Sequence, residues 1–156
     1  MNFEHLIAIN EPGNPLVVQL TRRQLWLGLL QRVDNPLLFL PGLAGFTILE
    51  RAYDSAVREL DFGAARIRDR VTLTEEQAVR FDIEANEFQP GGNLTIRIEE
   101  PAEGHLYLRF TYASGLAEQA GSEDAAYVEY VKSAYHQSDI DCVRIIRTLA
   151  AEGTCQ

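Results

Sequence analysis

The sequence contains little that could hold a protein together covalently. It has only two cysteines in 156 residues, and neither Cys142 nor Cys155 has the CxxC spacing of a redox or zinc site. A chain of this length buries enough surface to fold without disulfides or metal. We therefore expect Cys142 to be a small core residue in a helical segment and Cys155 to be an exposed thiol near the C-terminus.

Long apolar runs and an excess of basic residues are also missing. Residues 1–10 lack the basic region and the apolar stretch of a secretory leader, and no apolar run approaches the roughly 20 residues that cross a bilayer. These features predict a cytoplasmic protein without a membrane span. The 14 basic residues face 23 acidic ones, for a net charge of −9. This balance argues against a nucleic-acid backbone as partner.

Signatures of common catalytic and cofactor sites are absent as well. There is no GxSxG elbow, no phosphate-binding glycine-rich loop and no HExxH helix. The three histidines, His5, His105 and His136, have no metal-ligand spacing with each other or with the cysteines. Asp139 and Asp141 would point about 200° apart on a helix, so we expect no catalytic carboxylate pair there. The sequence therefore predicts no metal and no cofactor, and it names no catalytic residue.

The first third of the chain has the pattern of a strand followed by two short helices. Residues 3–10 alternate as a strand and end in a cluster of proline and glycine. Thr21 and Gln24 have the spacing of a capping box, which predicts a helix that stops before Pro36. The apolar residues 37–43 are interpreted as a second helical turn packed under the first.

The rest of the chain predicts a sheet and a long helix. From Gly45 to Tyr112 the hydrophobic period is two over six runs, which indicates six antiparallel strands in a meander. Residues from about 122 to 151 form a helix with one apolar stripe. With the first strand, this gives a single α+β domain over residues 1–156, in which a curved seven-stranded sheet grips the C-terminal helix. A small-molecule cavity is expected between the two.

Charged residues allow the register of the sheet to be predicted. A hairpin turn at Gly63-Ala64 starts a register in which opposite charges face each other on the outer surface. The expected pairs are Glu59 with Arg68, Asp61 with Arg66, Arg70 with Asp82, Arg68 with Glu84, Asp82 with Arg97 and Arg80 with Glu99. These solvated pairs specify register rather than function.

The same register places charges on the apolar face. It sets Arg58 opposite Asp69, and a turn at 53–55 would set Glu50 opposite Arg58, so that an arginine lies between two acids inside the grip. Two interpretations stay open for Glu50, Arg58 and Asp69. They form a structural ion-pair network, or they form a polar anchor or acid–base site for a ligand.

Hydroxyl groups are expected around the same apolar space. Tyr112 lies at the end of the last strand, and Tyr127, Tyr135 and Ser138 lie on the helical stripe. Either the tyrosines are core residues whose hydroxyls reach the rim, or they bond to a polar group of a ligand. Ser138 is interpreted as a small polar residue rather than a nucleophile. The candidate ligand-binding residues are thus Glu50, Arg58, Asp69, Tyr112, Tyr127, Tyr135 and Ser138.

Several segments resemble a known family. They are NFEHLIAIN at 2–10, NPLLFLPGL at 35–43, ILER at 48–51, RELDFG at 58–63 and RDRVTL at 68–73. The chain resembles the AtaL-like family, within the START and Bet v 1-like (SRPBCC) superfamily of helix-grip proteins. The resemblance covers nearly the whole chain and implies the helix-grip fold and a hydrophobic internal cavity. It implies no active-site residue, because none of these segments is a catalytic signature.

The superfamily includes lipid carriers, hormone and polyketide binders, and polyketide cyclases, so three functions are open. The first is binding of a small hydrophobic molecule, such as a lipid or an aromatic or polyketide-like metabolite, by a monomer or weak homodimer. The second is a cyclase or dehydratase, with Asp69 or Glu50 as general acid or base and Arg58 stabilising an enolate. The third is a protein-interaction module whose cavity is filled by side chains.

Overall fold

The computed structural model describes residues 2–87, 90–114 and 122–153. Cys155 lies outside these residues. The strands are β1 (Asn2–Ala8), β2 (Gly45–Arg51), β3 (Ser55–Asp61), β4 (Arg66–Thr74), β5 (Ala78–Ile83), β6 (Gly92–Glu99) and β7 (Tyr107–Ser114). The helices are α1 (Arg22–Asp34) and α2 (Ser122–Ala151), and a single 3₁₀ turn covers Pro36–Leu38. The second of the two predicted short helices is therefore only this turn.

The seven strands form one antiparallel sheet in the order β1-β7-β6-β5-β4-β3-β2. Strands β2 to β7 are a meander, and β1 closes the order by pairing with β7. Helices α1 and α2 pack on the apolar face, where Trp26, Leu29, Val143 and Ile146 join the buried core of the sheet. The predicted seven-stranded sheet with a long C-terminal helix is thus confirmed. No helix within the described ranges is long and apolar enough to span a membrane.

Helix α1 begins where the sequence predicts. The Thr21 side chain accepts a hydrogen bond from the Gln24 backbone, and the Gln24 side chain accepts one from the Thr21 backbone. This capping box satisfies two amides that have no partner within the helix. The helix ends at Asp34, because Pro36 cannot continue the helical hydrogen bonding.

The register between β3 and β4 is confirmed, and that between β5 and β6 is not. Glu59 lies opposite Arg68 and Arg58 lies opposite Asp69. Arg80, however, lies opposite Thr95 and not Glu99, a shift of four residues from the prediction. The predicted pairs Glu59 with Arg68, Asp61 with Arg66 and Arg70 with Asp82 are observed. The predicted pairs Asp82 with Arg97 and Arg80 with Glu99 are not. Three of these four charges have other partners, since Arg80 bonds to Asp82 along its own strand and Glu99 bonds to Arg109.

The prediction that Glu50 faces the interior is wrong. The register between β2 and β3 shifts after Ile48, which lies opposite Arg58, so that Glu50 lies opposite Val57. Leu49 is the extra residue of this β-bulge, and one inserted residue reverses the side on which the next residue points. Glu50 is therefore exposed.

The two helices approach each other closely at Gly28. A Cβ atom added to Gly28 would lie 2.6 Å from Cγ2 and 2.9 Å from Cγ1 of Ile146, nearer than real Cβ contacts. This glycine is needed for its small size, because Ile146 is a buried residue of the close-packed core and has little room to move away.

We expect Gly28→Ala to lower the free energy of unfolding by about 1–3 kcal/mol through overpacking. Chemical denaturation of Gly28→Ala, Ile146→Ala and the double variant measures the coupling. Removing the Ile146 γ-carbons makes room for the added methyl group, so the double variant should lose less stability than the sum of the single losses. Strictly additive losses would contradict the close crossing.

Candidate functional site

A cleft of about 430 Å³ lies between the sheet and the N-terminal half of α2. Its apolar lining includes Leu40, Leu60, Phe62, Ile67, Phe81, Ile83, Leu94 and Val131. Its polar lining includes Arg32, Arg58, Asp69, Asn93, Tyr112, Tyr127, Tyr135 and Ser138. Apart from Glu50, the structure therefore brings every predicted site residue to this one cleft.

Arg58 and Asp69 form a buried bidentate ion pair on neighbouring strands. Arg58 donates from Nε to Asp69 Oδ1 at 2.9 Å and from Nη2 to Oδ2 at 2.5 Å. Its Nη1 donates to the carbonyls of Arg32 at 3.2 Å and Val33 at 3.0 Å. These carbonyls belong to the last turn of α1, where helical acceptors have no partner within the helix. Arg58 thus joins β3, β4 and α1, which favours the structural interpretation over the ligand anchor.

The Arg58→Met variant should lose about 3–5 kcal/mol of unfolding free energy, because it leaves the Asp69 carboxylate buried and unpaired. In Arg58→Met/Asp69→Leu neither charge of the pair remains, and only the carbonyls of Arg32 and Val33 lose a donor. The double variant should therefore lose only about 1–3 kcal/mol. Urea denaturation separates the two. Unchanged stability of Arg58→Met alone would rule out the buried pair.

Arg32 is a second buried arginine, and it was not predicted from the sequence. Its side chain lines the cleft with only 8% exposure, and the guanidinium lies 5.5 Å from the centroid of the Phe81 ring. Its Nη1 has no hydrogen-bond partner, and its neighbour there is the Cys142 thiol, a weak acceptor. Arg32 forms no ion pair with any carboxylate of the described residues. Arg58, in contrast, is ion-paired with Asp69.

Asp139 is a fully buried acid behind the cleft wall. The Tyr112 hydroxyl lies 2.5 Å from Asp139 Oδ1 and donates to it. Asp139 Oδ2 lies 3.1 Å from Nε2 of His5, but the two atoms lack hydrogen-bond geometry and neither has a partner. His5 in turn contacts His136, with ring centroids 4.6 Å apart. Tyr112 is therefore the connection between the cleft and this buried group of polar side chains.

Burial sets the protonation of these groups. It raises the pKa of Asp139 to about 7, although the Tyr112 hydrogen bond and the charge of Arg32 act in the opposite direction. Burial lowers the pKa of His5, and the charge of His136 lowers it further. The pKa of Tyr112 is raised, chiefly by burial. Asp139 can therefore hold a proton near neutral pH, one hydrogen bond behind the cleft.

The raised pKa of Asp139 predicts a pH dependence of stability that Asp139→Asn removes. The unfolded carboxyl titrates near pH 4, whereas the folded one titrates at about 7. Between these values the unfolded chain loses its proton first, so folding of the parent weakens as pH rises. The asparagine variant should gain on the parent by on the order of 3–4 kcal/mol from pH 4 to 8.

Chemical denaturation of both proteins at several pH values measures this difference. A constant difference across this pH range would show that Asp139 ionises as an ordinary surface acid does.

The remaining predicted residues lie along the walls and the rim. Tyr135 stacks on Tyr112 with centroids 4.1 Å apart and planes 4° apart. Tyr127 lies at the rim with 54% exposure, and Ser138 is half-buried in the wall. Their contact with a ligand remains a prediction. Within the part of the chain that is described, no group of three or more His, Cys, Asp or Glu side chains is arranged to hold a metal ion.

Arg32 and Asp139 were not among the site residues predicted from the sequence, although the sequence contains a signal for both. Arg32 lies on the helical face of Leu25 and Leu29, three positions after the latter. Asp139 lies four positions after Tyr135 and three before Cys142, on the stripe that covers the sheet. A charged residue inside an apolar stripe is the pattern that identifies both.

An antiparallel seven-stranded sheet that holds a long C-terminal helix, with a cleft between them, defines a helix-grip protein of the Bet v 1-like class. Solved structures of this fold include the di-domain ARO/CYC protein StfQ from the steffimycin biosynthetic pathway, at TM-score 0.69 and 13% identity. The match covers 97% of this chain and 50% of StfQ, so this chain spans about half the length of that protein.

Two single-domain structures show the same likeness over most of both chains. The ZhuI aromatase/cyclase from Streptomyces sp. R1128 matches at TM-score 0.61 and 15% identity, over 92% of this chain and 90% of that one. Ara h 8.0201 matches at TM-score 0.57 and 15% identity, over 97% and 98%. At these identities the likeness shows the fold alone.

The family is shown by the sequence. The profile of the AtaL family, described as acetylaranotin biosynthesis cluster protein L, matches residues 7–153, and the chain belongs to this family. No curated protein matches the sequence at a significant level. The resemblance inferred from the sequence segments is thereby confirmed.

Proposed function

We propose that the protein binds a small, mostly apolar molecule in the cleft between the sheet and α2. The observation that carries this proposal is the cleft itself. Its volume of about 430 Å³ falls in the range of roughly 300–1,000 Å³ that small-molecule sites occupy. Apolar walls with a few polar groups are the usual composition of such sites.

The walls favour a ligand with a planar ring. Tyr112 and Tyr135 stack on each other and both line the cleft, so that this part of the wall is aromatic. Phe81 lines the cleft as well. An aromatic ring of a ligand would pack favourably against these side chains in an offset-stacked or edge-to-face arrangement. An aromatic or polyketide-like metabolite meets these demands better than a flexible acyl chain does.

The comparisons support the same ligand class. StfQ is an ARO/CYC protein of the steffimycin biosynthetic pathway and ZhuI is an aromatase/cyclase, and the family is named after a biosynthesis cluster. These activities are those of the other proteins. For this chain, the shared fold and the family membership favour a product or intermediate of a biosynthetic route as the ligand.

The proposal is tested with a cleft-filling variant and a matched control. Ser138→Phe adds a ring inside the cleft, whereas Ser133→Phe adds the same ring on the exposed face of α2. A neutral naphthylamine dye should bind Ser133→Phe as it binds the parent, and Ser138→Phe at least about tenfold more weakly, a loss of about 1.4 kcal/mol.

Fluorescence titration measures the affinities, and native mass spectrometry shows whether a small molecule co-purifies with each variant. Equal dye affinity in the parent and Ser138→Phe would mean that the cleft is not the binding site.

A second candidate, a cyclase or dehydratase, is favoured by the hydrogen bond between Tyr112 and Asp139. A protonated Asp139 can donate to the Tyr112 oxygen, which frees the Tyr112 hydroxyl to donate to a carbonyl in the cleft. This relay replaces the acid–base roles expected of Glu50, which is exposed, and Asp69, whose two oxygens are bonded to Arg58. Loss of water from a bound polyketide-like ketone, abolished in Tyr112→Phe with binding retained, would establish it.

The open cleft does not support the third possibility, an interaction module filled by its own side chains. Arg32, Tyr112 and Tyr135 line a cleft of about 430 Å³ that their own side chains do not fill.

A further inference from the structure

We infer that the ligand of this cleft carries a carboxylate and that this carboxylate pairs with Arg32. The inference rests on the proposed function, because it assigns the chemistry of the molecule bound there. It starts from the charges that line the cleft. Arg58 and Asp69 neutralise each other through two hydrogen bonds. Arg32 forms no hydrogen bond or ion pair with a carboxylate of the described residues, and Asp139 acts on it only from beyond ion-pair distance.

Arg58 shows what a satisfied guanidinium looks like in this protein. It makes hydrogen bonds to Asp69 and to two backbone carbonyls, and it lies 5.2 Å from the Phe81 ring. Arg32 lies 5.5 Å from the same ring and is nearly as deeply buried. The two side chains thus share burial and an aromatic neighbour, but only Arg58 has oxygen acceptors for its N–H groups, whereas Arg32 has the weakly accepting Cys142 thiol.

Burial of an unpaired charge is unfavourable, and methionine or leucine would fill the same helical position without that cost. The negative end of the α1 dipole and the face of Phe81 keep the cation tolerable. Neither provides oxygen atoms for the planar fork of donors. A guanidinium fork matches the two oxygens of a carboxylate, and Arg32 lies where the cleft admits one.

The net charge of the protein helps to test whether the cleft prefers a carboxylate over a neutral ligand. At −9 the protein repels anions at long range, so tighter binding of an anion than of its neutral analogue reports a local cation. The probes are 2-naphthoate and 2-naphthamide, which share ring and size and differ in charge.

In the parent, naphthoate should bind at least about tenfold more tightly than naphthamide, as charged hydrogen bonds allow. Arg32→Met should lose this preference by weakening naphthoate alone, while its affinity for naphthamide stays within about twofold. Arg32→Lys keeps the charge without the fork and should retain part of the preference. Arg68→Met, on the exposed outer face, changes the net charge equally and should retain all of it.

Unfolding of ligand-free Arg32→Met provides a second readout. Because Arg32 has no ion-paired carboxylate to leave stranded, this variant should be at least as stable as the parent, whereas Arg58→Met is not. If the parent binds both probes equally, or neither, the carboxylate assignment is wrong. The proposed function is judged separately by the neutral dye and Ser138→Phe, so the two failures are distinguishable. Should Arg32→Met not fold, the ratio of the two probes in the parent and in Arg32→Lys still decides.

Discussion

The bidentate pair of Arg58 and Asp69 is the interaction on which the cleft depends. It links two neighbouring strands and, through two carbonyl groups, the last turn of α1. Two buried charges are tolerated there because every strong donor of the pair has an acceptor. The pair fixes the end of α1 against the sheet, and with it the position from which Arg32 reaches the cleft.

The sequence predicts contacts that short-range periodicity controls. The period of two and the turn at Gly63 are sufficient to set Arg58 opposite Asp69, because a hairpin register follows from the length of its turn. The bulge at Leu49 breaks this logic for Glu50: one inserted residue has no compositional signal and reverses every later side chain of the strand. The shift between β5 and β6 has a similar origin, since their long connection does not fix a register.

The candidate site was only partly predictable for a different reason. Tyr112 and Tyr135 follow from strand and helix patterns, but the unpaired state of Arg32 depends on the distances between it and every acid in the fold. The same holds for Asp139, whose protonation depends on burial between Tyr112 and His5. A charge in an apolar stripe can be seen in the sequence. Whether it has a partner requires the tertiary structure.

The crossing of the two helices explains how an unpaired charge reaches the core. Gly28 contacts Ile146, and one turn further along each antiparallel helix Arg32 meets Cys142. A larger residue than glycine would move the helices apart and draw the guanidinium away from Phe81. Since Cys142 is a weak acceptor and Asp139 lies beyond ion-pair distance, the helix pair is held by apolar contacts and not by this charge. The fold therefore positions Arg32 at the cleft without pairing it with a carboxylate, and the weak Cys142 acceptor uses little of its hydrogen-bonding capacity.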